Sequence, residues 1–142
     1  MEGKEIKITV AQKNSIASVL LILNEVIDEI EDLCRTEGRK SILYEVVNNL
    51  DEEEKANVLK TTGEIKELIK NISTVLNIKK KRYETKRSIS SRVSSLWEMI
   101  CEIESKRLKG YGEVSVSLKE YLDPAVSRII RLLKNIEVFL HR

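Results

Sequence analysis

The residues of this 142-residue chain that could do chemistry are few, and the densest group of them is basic. Seven cationic side chains fall within fourteen positions, opposed by Glu84 alone: Lys79, Lys80, Lys81, Arg82, Lys86, Arg87 and Arg92. Such a run can neutralise the phosphates of a nucleic acid and release counterions, and Tyr83 could stack on a base. Cations are also favoured near the end of a helix by its dipole. The run therefore predicts either a nucleic-acid-binding segment or a solvated helix end.

Residue types that usually carry catalysis or hold a metal are scarce. His141 is the one histidine, and we expect it at a helix end that frays, where it makes a poor base for a nucleophile. Cys34 and Cys101 lack metal-ligand spacing and fall near apolar helical positions, which predicts buried free thiols. The five glycines form no phosphate-binding loop. We therefore expect no catalytic residue, no metal site, no cofactor and no small-molecule substrate.

One group of acidic residues has the spacing of a helical face. Glu25, Asp28, Glu29 and Asp32 are three and four residues apart, so they could chelate a cation or serve as an acid and base pair. Together with Glu31 they lie opposite the apolar stripe of the same segment. A solvated polar face is the expected role of this group.

The composition and the apolar spacing indicate which elements carry these residues. Apolar residues make up 42% of the chain and charged residues 34%, which is typical of long helices. Four segments repeat an apolar residue every seven positions with further apolar residues between, like the buried stripe of a bundle helix. The first is predicted over residues 11–37, through Ile16, Leu23 and Ile30, with Gly38 as a left-handed C-terminal cap.

The middle of the chain has less certain boundaries. We predict a short helix over residues 40–50, followed by a long helix that begins at Asp51, where Glu54 completes a capping box. Thr61 offers a competing start for the same helix. No glycine or proline marks its end, so residues 77–91 are either a turn or part of one continuous helix.

The last third of the chain predicts two further helices. One continues the seven-residue spacing through residues 89–103 and ends at Gly110. Asp123–Pro124 combines a favourable N-cap with a favourable first helical residue and predicts the start of the last helix. Apolar and polar residues alternate over residues 6–10 and 114–118, an alternative signal for a pair of short strands.

These signals together predict an all-α protein of a single domain, residues 1–142. The expected architecture is an up-down antiparallel four-helix-type bundle with one additional short helix, because matched helices with short connections pack as antiparallel neighbours. The longest apolar run, residues 19–23, is far shorter than a membrane span, and no secretory signal is evident. We expect a cytoplasmic protein that does not bind membranes.

The apolar residues also bear on function. Doubled pairs such as Val46/Val47, Leu68/Ile69 and Ile129/Ile130 give more apolar surface than one small core holds. The halves differ in charge: residues 1–71 hold 10 Lys and Arg against 15 Asp and Glu, whereas residues 72–142 hold 15 against 8. We expect a non-catalytic interaction or assembly module that binds itself, as a homo-oligomer, or another protein. Nucleic-acid binding through the basic run is the alternative.

Overall fold

A computed structural model describes residues 6–141, and about 74% of this part is helical. It contains four long α-helices, one short one and a two-stranded β-hairpin. The elements in chain order are α1 (Val10–Arg35), β1 (Arg39–Lys40), β2 (Glu45–Val46), α2 (Glu52–Val75), α3 (Thr85–Ile100), α4 (Ser105–Leu108) and α5 (Val116–Leu140). The all-α prediction is therefore confirmed.

The chain divides into two compact units, Met1–Lys80 and Lys81–Arg142, and each is described by itself. In the first unit α1 packs against α2, and in the second α3 packs against α5. We call these pairs the N-terminal hairpin and the C-terminal hairpin. The expectation of one domain over residues 1–142 stays a prediction.

Both helices of the N-terminal hairpin begin with a capping box. The Thr9 hydroxyl accepts from the backbone N–H of Gln12, and the Gln12 side chain accepts from the backbone N–H of Thr9. Asp51 and Glu54 make the same reciprocal pair at the start of α2. Each box satisfies two amide groups that a helix start otherwise leaves without a partner. The start at Asp51 is confirmed, and Thr61 lies inside the helix.

The end of α1 differs from the prediction. Gly38 is not a left-handed cap; α1 ends at Arg35, with Thr36 in an extended conformation. A Cβ on Gly38 would lie 2.9 Å from the carbonyl oxygen of Val46, so glycine allows the two chain segments to approach closely here.

A β-hairpin occupies the place of the predicted short helix at residues 40–50. Arg39–Lys40 pairs antiparallel with Glu45–Val46, and the backbone N–H of Ser41 donates to the Tyr44 carbonyl at 2.8 Å. The prediction of a helix here is wrong. The β-branched and aromatic residues of this segment suit extended backbone, and its apolar residues do not face a core, since Ile42 is 97% exposed.

The connection after α2 turns rather than continuing as a helix. Asn77 adopts the left-handed conformation at φ 52°, and the backbone N–H of Ile78 donates to the Ser73 carbonyl at 2.8 Å. This six-to-one hydrogen bond is the mark of a Schellman motif, which ends a helix. Residues 78–84 are irregular, and α3 begins at Thr85.

The C-terminal hairpin departs from the sequence prediction at its connection. α3 ends at Ile100, and two 3₁₀ turns flank α4 before Gly112 takes a φ of 134°. α5 then begins at Val116, where the Ser115 hydroxyl accepts from the Leu118 backbone N–H. The predicted start at Asp123–Pro124 is wrong, because Pro124 lies inside α5. No strand forms at residues 114–118 or at the described residues 6–10.

Candidate functional site

The two helices of the N-terminal hairpin are joined by an ion pair whose carboxylate is buried and whose ammonium is partly exposed. Glu31 is 7% exposed and accepts from the Thr62 hydroxyl at 2.8 Å and from the Lys66 ammonium. Lys66 also pairs with Asp28 at 2.7 Å, and Arg35 approaches Glu31 at 3.9 Å. Residues 28 and 31 of α1 thus meet residues 66 and 62 of α2, which fixes an antiparallel register.

These contacts shift the pKa values of Glu31 and Lys66 in the directions that favour their charged forms. Hydrogen bonds from Lys66 and Thr62 lower the pKa of Glu31 below its ordinary value. Hydrogen bonds to Asp28 and Glu31 raise the pKa of Lys66. A carboxylate held ionised and a lysine held protonated are poor proton-transfer groups near neutral pH. The arrangement fits a structural ion pair that joins two helices rather than a catalytic acid and base.

Glu31 is the residue that the sequence prediction misplaced. It was expected on the solvated acidic face, but it lies on the α2-facing side with Ile27 and Cys34. A signal for this was present, because Glu31 is four residues after Ile27 and three before Cys34 and so belongs to the buried stripe. The other four acids of the group are exposed as expected. No group of three or more metal-ligating residues occurs within residues 6–141.

Asn48 supplies a second polar link within the N-terminal hairpin. Its side-chain amide donates to the Thr36 carbonyl at 2.9 Å and, at longer range, to the carbonyls of Leu33 and Cys34. These carbonyls lie at the end of α1, where the last carbonyl groups have no N–H donor within the helix. Asn48 therefore acts as the C-terminal cap that Gly38 was expected to provide.

Three side chains at the end of the C-terminal hairpin resemble a catalytic triad in composition only. Ser90 Oγ lies 3.2 Å from His141 Nε2 and 3.3 Å from Glu137 Oε2. The same Nε2 atom faces Glu137 Oε2 at 3.1 Å. A triad needs the serine on one ring nitrogen and the carboxylate on the other, so that the carboxylate fixes the tautomer. This arrangement cannot relay a proton in that way and forms a polar tie between α3 and α5.

The cysteines do not form a reactive pair. Cys34 is buried and Cys101 is half-buried, both as free thiols. Burial is the largest cause of the raised pKa of Cys101, and the raised pKa keeps the thiol protonated and weakly nucleophilic. Cys101 lines an open hollow of about 610 Å³ together with Ser94, Trp97, Glu98, Glu102 and Arg107.

Asp123, expected to cap the last helix, caps another element. Its carboxylate accepts from the backbone N–H of Ser105 at 2.9 Å and from the Ser105 hydroxyl at 2.7 Å, at the start of α4. These bonds lower the pKa of Asp123. The contact ties the α3–α5 connection to α5 and is structural.

All seven cations of the basic run are exposed. Lys79, Lys80, Lys81 and Arg82 lie in the irregular connection, whereas Lys86, Arg87 and Arg92 lie on α3. The Lys81 ammonium sits 5.2 Å from the ring centroid of Tyr83. None of the seven forms an ion pair with an acid of the described chain. The run is thus a solvated cationic segment around the start of α3.

The most extensive surface feature is apolar. α1 has three sectors around its axis: one faces α2, one is acidic, and one carries exposed apolar residues. Successive residues are rotated by about 100° around the helix axis, so the centre of the exposed apolar sector lies roughly a quarter turn around the helix from Ile27. Its members are Val19, Ile22, Val26 and Leu33, of which three are more than 60% exposed.

On α2 the exposed apolar residues are displaced from the buried stripe in the same rotational direction around the helix axis as on α1. Leu68, Ile72 and Val75 are exposed, and they lie roughly a quarter turn from Thr62, which faces α1. Because the two helices are antiparallel, an equal rotation places both exposed stripes on one side of the hairpin. We call this side the N face.

The C-terminal hairpin has an apolar face of the same construction. On α5 the exposed stripe recurs at steps of three and four residues and lies roughly a quarter turn from the buried Val126. On α3, Leu96 and Met99 lie on the corresponding side of the buried Val93. We call this side the C face. Its α5 residues are Leu118, Tyr121, Ile129, Leu132, Ile136 and Phe139.

α1 alone among the described helices is long and apolar enough, by length and composition, to cross a membrane. One such helix is weak evidence, because core helices of soluble proteins pass the same test. No family model, curated protein or solved structure matches this chain.

Proposed function

We propose that the protein is a non-catalytic helical module that associates with itself through the apolar faces of its two hairpins. The observation that carries this proposal is the second apolar stripe on α1, α2, α3 and α5, a quarter turn from the stripe that each helix already buries. A helix in a four-helix bundle contacts two neighbours on adjacent sides. Each hairpin therefore has the surface of half a bundle.

The accessible surface supports this proposal in magnitude. The chain exposes 12312 Å². Two separate compact proteins, each of half its mass, would together expose about 9,000 Å². The chain therefore exposes about 3,000 Å² more than two such proteins would. Obligate dimer interfaces bury about 2,000–5,000 Å² or more, counted over both partners. Two chains that covered this excess would together bury about 6,000 Å², at the upper end of that range.

A second copy fits the N face better than a lipid bilayer does. Apart from its apolar and α2-facing sectors, α1 carries an exposed acidic sector that includes Glu25, Glu29 and Asp32. A membrane span would place these carboxylates in or near hydrocarbon, where ionised groups are costly. An aqueous assembly covers the apolar sector and leaves the acidic one in water.

The test places a charge inside an apolar face and compares it with the same charge outside. Leu132→Lys lies in the C face, whereas Val138→Lys lies on the polar side of α5, although both residues are exposed. We expect light scattering to give an assembled wild type, an assembled Val138→Lys variant and a monomeric Leu132→Lys variant. Equal masses for the two variants would contradict the proposal, and flotation of the wild type with neutral lipid vesicles would favour a membrane instead.

Nucleic-acid binding by the basic run is a second candidate, favoured by the exposure of its seven cations, none of which forms an ion pair within residues 6–141. The test measures binding to a DNA duplex at two salt concentrations. Replacing Lys79, Lys80, Lys81 and Arg82 by glutamine should abolish binding and its salt dependence. The matched control replaces Lys106, Arg107, Lys109 and Lys119, which changes the net charge equally. Equal binding by the two variants would contradict a role for the run.

A further inference from the structure

We propose that the N face of one chain packs against the C face of a second copy, and reciprocally, so that two chains form two intermolecular four-helix bundles. This inference rests on the proposed self-association and names the surfaces that meet. When the two chains are related by a twofold axis, each contributes its N face to one bundle and its C face to the other, so the assembly closes at two chains.

Charge at the edges of the two faces selects this pairing over a pairing of like faces. Glu29 on α1 and Glu64 on α2 occupy equivalent positions, each beside the apolar stripe of its helix and on the side away from the other helix. The N face therefore has an acidic border on both helices.

The C face carries one cation on each helix. Arg128 lies beside the apolar stripe of α5 at the position that matches Glu29 on α1. Arg92 lies within the stripe of α3 rather than at its border, one residue before the buried Val93. Glu29, Glu64, Arg92 and Arg128 are all exposed, and none takes part in an ion pair within residues 6–141.

The net charges of the two units agree with these borders. Residues 1–80 hold 12 Lys and Arg against 15 Asp and Glu, giving −3, and residues 81–142 hold 13 against 8, giving +5. Two N faces or two C faces would bring like charges together, which is costly at an interface. An N face against a C face brings opposite charges together on the same apolar core.

The connection between the hairpins has the length and character that an exchange requires. Residues 76–84 separate α2 from α3, and of these only Leu76 and Ile78 are partly buried. Residues 79–84, which follow the Schellman motif, span about 20 Å when extended, about twice the distance between packed helix axes. Repulsion among its four consecutive cations, residues 79–82, favours extended conformations.

A charge-reversal experiment tests the pairing with full-length chains. One variant carries Glu29→Arg and Glu64→Arg, and the other carries Arg92→Glu and Arg128→Glu. Each variant alone brings like borders together at both bundles, so we expect its dimer to weaken about tenfold or more. In an equimolar mixture both bundles are complementary again. Native mass spectrometry should then show the heterodimer as the main species.

The matched control reverses two acids of the same hairpin on the side away from the N face, Asp32→Arg with Glu67→Arg. It changes the net charge as much as the first variant, yet it should dimerise like the wild type and form no excess of heterodimer with the second variant. Circular dichroism checks that each variant keeps its helices.

The possible failures are distinguishable. A wild type that stays monomeric overturns both the self-association and this pairing. A dimeric wild type whose two charge-reversal variants also dimerise alone, or do not recover when mixed, leaves the self-association standing and overturns the pairing of the N face with the C face.

Discussion

The two hairpins share a design but differ in what lies between their helices. In the N-terminal hairpin the interface includes a buried carboxylate in an ionised cluster, Glu31 with Thr62 and Lys66. In the C-terminal hairpin the most buried residue is Val126, at 2% exposure; Ser90 bonds to Glu137, and the Lys134 ammonium lies 4.8 Å from the Trp97 ring centroid. A buried charge thus joins the helices of one hairpin, whereas apolar packing with more exposed polar contacts joins those of the other.

Both hairpins have a small buried apolar core. Only four apolar side chains are fully buried in the described chain: Ile27, Cys34, Val93 and Val126. So small a core leaves each hairpin marginal by itself, because a helix pair must bury an apolar face to offset its conformational entropy. The faces that remain exposed are the surface that can supply the missing burial. Stability and assembly should therefore be coupled, so that dilution weakens the fold.

The largest effect should come from a charge in the apolar centre of the C-terminal hairpin. Val126→Asp would bury a carboxylate without a partner and should cost about 3–5 kcal/mol in the free energy of unfolding. Val138→Asp on the same helix is the control, and it should change stability by less than about 0.5 kcal/mol. Urea unfolding followed by Trp97 fluorescence measures both. Similar losses for both variants would show that Val126 is not a core residue.

The stability of the N-terminal hairpin should fall when the ionised cluster of Glu31, Thr62 and Lys66 loses a charge. Glu31→Gln keeps a partner for Thr62 but removes the ion pair with Lys66, so the midpoint of urea unfolding should fall. Asp32→Asn removes an exposed carboxylate of α1 on the side away from the N face and should leave the midpoint nearly unchanged. Circular dichroism at several protein concentrations separates monomer stability from assembly. An unchanged midpoint for Glu31→Gln would remove the proposed difference between the hairpins.

A smaller effect is expected at the end of α1. Asn48→Ala removes the amide that caps the carbonyls of Leu33, Cys34 and Thr36, and should cost about 1 kcal/mol. The adjacent Asn49 is exposed and gives a matched control, Asn49→Ala, with little expected effect. Amide hydrogen exchange should also rise in the last turn of α1 for the first variant alone. Equal exchange in both variants would contradict the capping role.

The smallest effect is a pH dependence that involves the N-terminal hairpin. The raised pKa of Lys66 means that its contribution is complete below the ordinary lysine value of 10.5 and is lost as the pH rises through the raised value. The lowered pKa of Glu31 means that its contribution is present above the ordinary value of 4.5 and is lost as the pH falls further.

Lys66→Arg isolates the alkaline part of this dependence, because arginine stays charged. Between pH 10 and 11.5 the wild type should lose more stability than this variant, as measured by urea unfolding at fixed ionic strength. Parallel losses in the two proteins would show that Lys66 does not titrate with unfolding.

The helices themselves were predictable because their signals are local. The seven-residue apolar spacing located the four long helices, and the reciprocal bonds of Asp51 and Glu54 depend on residues three apart. The misplaced features depend on distant partners. Asn48 binds the carbonyl of Thr36, twelve residues earlier at the end of α1, and Asp123 binds Ser105 although its sequence context favours a helix start.

The site was less predictable than the fold. Exposure of the basic run could be expected from its charge, whereas the burial of Glu31 depends on Thr62 and Lys66 being opposite it in α2. The apolar excess was visible in doubled pairs such as Leu68/Ile69, but its division into one inner stripe and one outer face needs the helix contacts. Only the structure shows that the outer stripes of paired helices lie on the same side.

The central claim is that a second copy covers the apolar faces. Sedimentation equilibrium of the wild-type chain over a dilution series tests it most directly. We predict a mass near twice 16.3 kDa at high concentration, falling toward 16.3 kDa on dilution as helix content also falls. A mass of 16.3 kDa at every concentration, with undiminished helix content, would contradict the account.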